Sequence, residues 1–142
     1  MIHSKDFKKV LRQLKVKKGA SCLIHSSIIN LGNFEDNNIK KIPDNIFNNL
    51  RQVIGKKGTI STLGSNYEYA DKGINFDTYK SVPSAELGVF SRYLFKRKSS
   101  KRSINPIFNI ISEGKYSNYI TNQKTPTAFG EDSAWHQLFK LN

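Results

Sequence analysis

The sequence has a single cysteine, Cys22, so no disulfide can form within the chain. No apolar run approaches the roughly 20 residues of a membrane-spanning helix. The opening Met1-Ile2-His3-Ser4-Lys5-Asp6 has no apolar segment behind it, so neither a membrane span nor a secretory signal is expected. A cytoplasmic location is the default expectation. Glycine-rich nucleotide loops of the P-loop or GxGxxG kind are missing, as is a GxSxG nucleophile elbow, which argues against nucleoside-triphosphate, dinucleotide and serine-hydrolase chemistry. The three histidines, His3, His25 and His136, share no metal-ligand spacing with one another or with Cys22, so no metal site is expected. Repeats and low-complexity segments are absent too, and Cys22 sits inside an apolar run, where a thiol behaves as inert core.

Acidic residues are also scarce. Eleven Asp and Glu stand against 23 Lys and Arg, a net charge of +12 over 142 residues. That excess points to an anionic partner, whether nucleic acid, an anionic membrane or a phosphorylated small ligand, or to a lysine-rich solvated surface. Much of it sits at Lys8, Lys9, Arg12, Lys15, Lys17, Lys18 and again at Lys96-Arg97-Lys98-Ser99-Ser100-Lys101-Arg102.

The most informative stretch runs from Ser21 to Gly32. Cys22-Leu23-Ile24 follows the turn Lys17-Lys18-Gly19-Ala20 and predicts a buried strand. It then breaks into His25-Ser26-Ser27 and passes to Leu31-Gly32. A strand ending in small hydroxyl residues leaves backbone N–H groups at the carboxyl edge of an α/β sheet, where such folds bind ligands. Those groups and the Ser26 and Ser27 hydroxyls suit phosphate or pantetheine amide oxygens. The same residues would equally serve as a solvated turn with a serine as helix N-cap. His25 is the best-placed base, or a structural hydrogen-bond partner.

Phe7, Val10, Leu11 and Leu14 recur at helical spacing, with Ser4 as the N-cap. Ile39, Ile42, Ile46, Phe47 and Leu50 predict a second helix, tolerating Pro43 in its first turn and stopping at Gly55. Thr59–Leu63 predicts a β-branched strand, and Ser84-Ala85-Glu86 opens a third helix with Leu87, Phe90 and Leu94 on one face. Between them, Tyr67 to Pro83 is an aromatic-rich flap whose most site-like pair is Phe76-Asp77. Arg102 to Ile111 starts as a polar turn and runs into a third strand. Arg102 and Ser103 at that turn suit a phosphate or carbonyl, unless Arg102 is only the last member of the basic run. Phe129 to Trp135 is a loop leading to a short amphipathic stretch, where Glu131 and Asp132 either meet an amine or cap the helix. Alternating helices and strands predict one α/β domain, a layered fold with a central mixed, partly parallel sheet flanked by helices. Its first two strands should end on one edge, bringing Gly64-Ser65-Asn66 near His25-Ser26-Ser27.

Taken together, these segments resemble the aminoglycoside 3-N-acetyltransferase family, including relatives associated with surface-polysaccharide synthesis. The matching pieces are Leu23-Ile24-His25-Ser26-Ser27 with Leu31-Gly32, Gly58-Thr59-Ile60, Phe76-Asp77, Pro83-Ser84-Ala85-Glu86-Leu87-Gly88, Arg102-Ser103-Ile104-Asn105-Pro106-Ile107-Phe108 and Phe129-Gly130-Glu131-Asp132-Ser133. They occur in the family's order across nearly the whole chain. The resemblance implies acetyl transfer from acetyl-CoA to an amine of an aminoglycoside or amino sugar. It implies that His25, Ser26, Ser27, Arg102 and Ser103 lie along the CoA arm, with Phe76, Asp77 and Glu131 facing the acceptor. Leu63-Gly64-Ser65 stands where the family has Pro-Thr, and Asn105-Pro106 where it has His-Pro. Both departures lean away from drug modification, and so from antibiotic resistance, toward polysaccharide biosynthesis. The resemblance also places the general-base histidine in a Thr-x-x-His segment beyond Asn142, leaving the catalytic residue outside this chain. The expectation is therefore the amino-terminal portion of such an enzyme, an incomplete domain prone to self-association or to pairing with a complementing carboxyl-terminal half. No membrane or nucleic-acid partner is expected. The other readings are a small basic nucleic-acid-binding module and a non-catalytic remnant.

Overall fold

The computed structural model describes residues 2–28, 38–122, 125 and 127–141. The predicted Leu31-Gly32 corner and most of the polar loop after it lie outside them. Helix α1 is Ser4–Gln13. Its N-cap is His3 rather than Ser4: the His3 backbone N–H donates to the Asp6 carboxylate at 3.4 Å, while the Ser4 hydroxyl accepts from Asn49 at 3.3 Å. Of its predicted apolar face only Leu11 is buried and Phe7 half-buried. The helix ends at Gln13 and Lys15 turns left-handed, so Leu14 swings outward and is 69% exposed.

Strand β1 (Ser21–Ile24) lies parallel to β2 (Thr59–Leu63), with Cys22 opposite Ile60 and Ile24 opposite Thr62. Between them a 3-10 turn, Ile39–Lys41, leads into α2, Ile42–Ile54. Pro43 falls in its first turn, where its missing N–H has no intrahelical partner to lose, and Gly55 closes it with φ of 70°. After β2, the Asn66 side chain caps the short α3, Tyr67–Lys72, by accepting from the Tyr69 N–H at 3.0 Å. The flap is thus part helix, and only its remainder is irregular. A further 3-10 turn, Ala85–Leu87, runs into α4, Gly88–Phe95.

The third predicted strand is corrected to a hairpin. A two-residue β3, Lys101–Arg102, pairs antiparallel with β4, Ile110–Gly114, with Arg102 opposite Ile111. Residues 104–109 turn because Pro106 has no N–H and the Asn105 side chain accepts from the N–H groups of Ile107 and Phe108 at 3.0 and 2.8 Å. Two helices follow, α5 (Ser117–Thr121) and α6 (Ala134–Lys140). The sheet order is β1-β2-β4-β3, mixed as expected. On one face α1, α2 and α4 bury Leu50, Ile54, Phe90 and Leu94 against Ile60 and Ile111. On the other, α5 and α6 bury Ile120 and Leu138 against Ile110. Cys22 is half-buried, and burial raises its thiol pKa.

At the amino-terminal end of β2 one carboxylate collects two arginines. Glu113 is bound by Arg97 at 2.6 and 3.1 Å, and Arg51 lies 3.9 Å away. The Arg97 guanidinium also stacks 3.9 Å over the Phe47 ring and donates to the Tyr93 hydroxyl, which donates in turn to Asp44 at 2.6 Å. Burial and that Asp44 bond push the Tyr93 pKa up to about 12. Burial alone would raise the Glu113 pKa, but hydrogen bonds from Arg97 and Ser99 and the charges of Arg97 and Arg51 hold it below the ordinary value. A depressed carboxyl contributes stability that is complete above its unfolded pKa and lost as pH falls through the lower folded value. Urea unfolding is therefore expected to show stability falling below about pH 4. Glu113→Gln should flatten that fall while costing about 1–3 kcal/mol at neutral pH. Superimposable pH profiles for the two proteins would exclude Glu113 as the source.

Candidate functional site

Because β1 and β2 are parallel, both deliver their following loops to one sheet edge, as expected from the sequence. The Thr62 hydroxyl donates to the Ile24 carbonyl at 2.9 Å and lies 3.1 Å from the Ser91 hydroxyl, joining both strand ends to α4. His25 and Ser27 are exposed and Ser26 half-buried. The Ser26 hydroxyl oxygen itself is buried and has no hydrogen-bond partner among the described residues. The loop that opens α4 runs directly alongside. A Cβ on Gly88 would meet the Ser26 carbonyl at 3.2 Å, and Gly88 has φ of +81°, so both space and conformation call for glycine.

The same edge gathers the other motif segments. Ser84 donates from its backbone to the Ser65 carbonyl at 2.9 Å, and Asn66 to the Pro106 carbonyl at 2.9 Å. The Asn66 side-chain amide donates to the Val82 carbonyl at 2.9 Å, and the Ser84 hydroxyl accepts from the Tyr67 N–H at 2.7 Å. Gly64, in the Leu63-Gly64-Ser65 segment that stands where the resemblance expects Pro-Thr, sits where a Cβ would lie 2.2 Å from the Asn109 side-chain oxygen.

Arg102 is at the centre of this convergence. Its Nε donates to the Asn109 side-chain oxygen at 2.7 Å, and its two terminal nitrogens donate to the carbonyls of Ser81 and Gly64. The guanidinium lies 4.7 Å from the Phe76 ring centre and 5.1 Å from that of Phe95. Burial lowers its pKa to about 10, with the nearby Asp77 charge working the other way, so it stays charged at neutral pH. Ser103 is fully buried: its backbone N–H donates to the Ile110 carbonyl and its hydroxyl accepts from the Ile110 N–H, each at 3.0 Å. Of the five residues expected along a cofactor arm, His25, Ser26 and Ser27 have side chains with no partner among the described residues, whereas Arg102 and Ser103 hold the hairpin.

The predicted acceptor residues divide between the two faces. Phe76 packs on Arg102, and Asp77 caps its own turn by accepting from Tyr79 and Lys80 at 2.7 and 2.9 Å, bonds that lower its pKa. Glu131 is exposed on the α6 side, beyond an aromatic chain in which Phe129 lies 4.8 Å from Phe108 and 5.5 Å from Trp135. Neither Glu131 nor Asp132 is the cap of α6. Ser133 is, accepting from the His136 N–H at 3.2 Å, while Asp132 sits left-handed at φ of 61° and its N–H donates to His136 Nδ1 at 3.0 Å. Sequence reading missed Asn109 and Ser81, and only the polar Asn109 interrupting the apolar run 107–111 hinted at the first. Among the described residues no cluster of three His, Cys, Asp or Glu could hold a metal, and no helix is long and apolar enough to cross a membrane.

The structure is a layered α/β fold with a mixed sheet, whose connecting loops meet at one carboxyl edge. Within that class the chain belongs to the aminoglycoside 3-N-acetyltransferase family, whose model matches residues 23–142. It is similar in fold to AAC-IIIb solved as a binary complex with CoASH, at 20% identity and a TM-score of 0.82, covering 98% of this chain and 56% of that one. The YokD protein from Bacillus subtilis is 20% identical with a TM-score of 0.81, covering 96% and 60%. Aminoglycoside acetyltransferase AAC(3)-Xa is 17% identical with a TM-score of 0.84, covering 99% and 53%. The chain therefore spans little more than half the length of the relatives it matches. No curated protein sequence matches it.

Arg102 gives the test of this architecture. Arg102→Lys keeps the charge, yet one ammonium cannot reach Asn109, Ser81 and Gly64 together. Both it and Arg102→Ala are expected to lose about 2–4 kcal/mol in denaturant unfolding. A lysine variant as stable as the parent would mean that the charge alone matters.

Proposed function

We propose that this chain is the acetyl-CoA-binding portion of an N-acetyltransferase acting on an amino group of an aminoglycoside or amino sugar. The observation that carries the reading is the Ser26 hydroxyl, buried without a partner at the carboxyl end of β1 inside the His-Ser-Ser segment. A buried hydroxyl left unpaired costs about 1–3 kcal/mol, and a ligand amide reaching that edge relieves the cost. One solved relative holds CoASH and another holds apramycin, which supports both halves of the proposal.

Acetyl-CoA supplies an acetyl thioester. The chain's own residues bind and orient. Ser26 pairs with an amide of the arm, and exposed His25 and Ser27 flank it. Arg102 and Ser103 act as positioning residues, since their polar groups fix Gly64, Ser81 and Ile110 around the arm. Phe76 and Asp77 border the acceptor from the flap and Glu131 from the α6 side. The carboxylates suit an acceptor whose amines are charged in water. The base that removes the amine's proton comes from the histidine segment that the resemblance places beyond Asn142. Among the two physiological roles, surface-polysaccharide synthesis is favoured over antibiotic resistance by the Gly64 and Asn105 departures.

Thermal unfolding with acetyl-CoA at about 100 times its dissociation constant is expected to gain roughly 2.7 kcal/mol, several degrees for a chain of this length. Ser26→Ala should leave the free protein as stable or slightly more so, because it deletes an unpaired group, yet weaken acetyl-CoA binding by about tenfold. A cooperative transition that does not move with ligand would overturn the assignment.

A further inference from the structure

The edge of the sheet opposite the serine loop is crowded with cations. β1 and β2 begin side by side, with Ser21 opposite Thr59, so the turns that precede them are neighbours. The Gly19 N–H donates to the Ile54 carbonyl at 2.7 Å and the Thr59 N–H to the Ala20 carbonyl at 3.0 Å, fastening one turn to the other. Lys15, Lys17 and Lys18 belong to the approach to β1, Lys56 and Lys57 to the approach to β2, and all five are exposed. No ion pair or hydrogen bond engages their ammonium groups among the described residues. Glu113, whose strand ends at this edge, is already held by Arg97, and Asp6 lies in the first turn of α1, away from the end that leads to Lys15. Five like charges on two adjoining turns repel one another, and an anionic partner relieves that repulsion.

Two aliphatic side chains precede these lysines. Val10 is 50% exposed and Leu14 69% exposed. They are one helical turn apart, with the Leu14 N–H donating to the Val10 carbonyl at 2.9 Å. Leu14 is followed directly by Lys15, whose left-handed backbone, with φ of 60°, turns the chain out of α1 toward the other lysines. Aliphatic side chains among unpaired lysines suit the headgroup boundary of an anionic bilayer, where ammonium groups meet lipid phosphates and carboxylates while apolar atoms leave water. Nucleic acid fits less well. Residues 9–20 and 55–58 contain no aromatic ring on which a base could stack, and a phosphate backbone gains nothing from Val10 and Leu14.

We propose that this amino-terminal edge of the sheet docks on an anionic lipid surface, with Lys15, Lys17, Lys18, Lys56 and Lys57 on the headgroups and Val10 and Leu14 among them. Such a contact lies along the bilayer and needs no spanning segment, and it departs from the expectation of no membrane partner. The five residues of β2 separate the two edges by about 16 Å, so a docked chain keeps the Ser26 loop clear of the lipid.

Sedimentation measures binding of the intact chain to phosphatidylcholine vesicles with and without about one-third phosphatidylserine. Binding is expected on the anionic vesicles only, and it should weaken as salt rises. At about fivefold per lysine, Lys15→Ala/Lys17→Ala/Lys18→Ala should weaken it roughly 100-fold. Lys40→Ala/Lys80→Ala/Lys140→Ala removes the same charge from exposed positions elsewhere and should cost less than about fivefold. Leu14→Ser should keep the parent's thermal unfolding, because the side chain is exposed, yet weaken vesicle binding about tenfold. The proposal is overturned by an absence of binding to anionic vesicles, by equal losses in the two triple variants, or by a Leu14→Ser protein that binds like the parent. Tighter binding of the parent to a duplex oligonucleotide than to these vesicles would assign the edge to nucleic acid and overturn the lipid surface as its partner.

Discussion

The guanidinium of Arg102 holds the carboxyl edge of the sheet together. It meets three acceptors that lie far apart in the chain: Gly64 at the end of β2, Ser81 in the flap and Asn109 at the foot of β4. Each is a polar group that would otherwise be turned inward without a partner, and a planar cation with five donors satisfies all three at once. Phe76 and Phe95 confine the guanidinium and keep it in place. Without that cation the end of β2, the flap and the hairpin would keep only the backbone and Asn66 bonds that also join them at this edge.

At the opposite end of the same strands Glu113 reverses the arrangement, with one anion gathering Arg97 and Arg51. The net charge of +12 thus separates into two populations. Arg51, Arg92, Arg97 and Arg102 donate to carbonyls or to Glu113, and they act as part of the framework. The lysines of the 96–101 run remain outside it. The division follows from chemistry: a fork of fixed donors bridges several acceptors, whereas a flexible, strongly hydrated ammonium stays in water until an anion arrives.

Local pattern was enough to read β1, α2, β2 and α4, because each carries its own periodicity and its own turn signals. Parallel pairing of β1 with β2 followed from the helix between them, and with it the delivery of the loops after both strands to one sheet edge. The hairpin did not follow, since β3 is two residues long and its partner was masked by the apolar run that precedes it. The protein partners of Arg102 show the limit clearly. Gly64 and Ser81 lie 38 and 21 residues away, beyond the reach of any local pattern. Ser26 was legible by position, but its unpartnered burial depends on the Gly88 loop crossing beside it, which is a tertiary fact.

Trp135 is the only tryptophan in the chain, and its indole N–H donates to the Phe108 carbonyl at 2.8 Å while its ring contacts Phe129. The bond spans from α6 to the loop of the same hairpin whose other limb carries Arg102. The molecule therefore contains its own optical reporter. Indole emission responds to loss of a hydrogen bond and to entry of water, so movement of residues 103–109 registers as a change in intrinsic fluorescence, without any label attached to the chain.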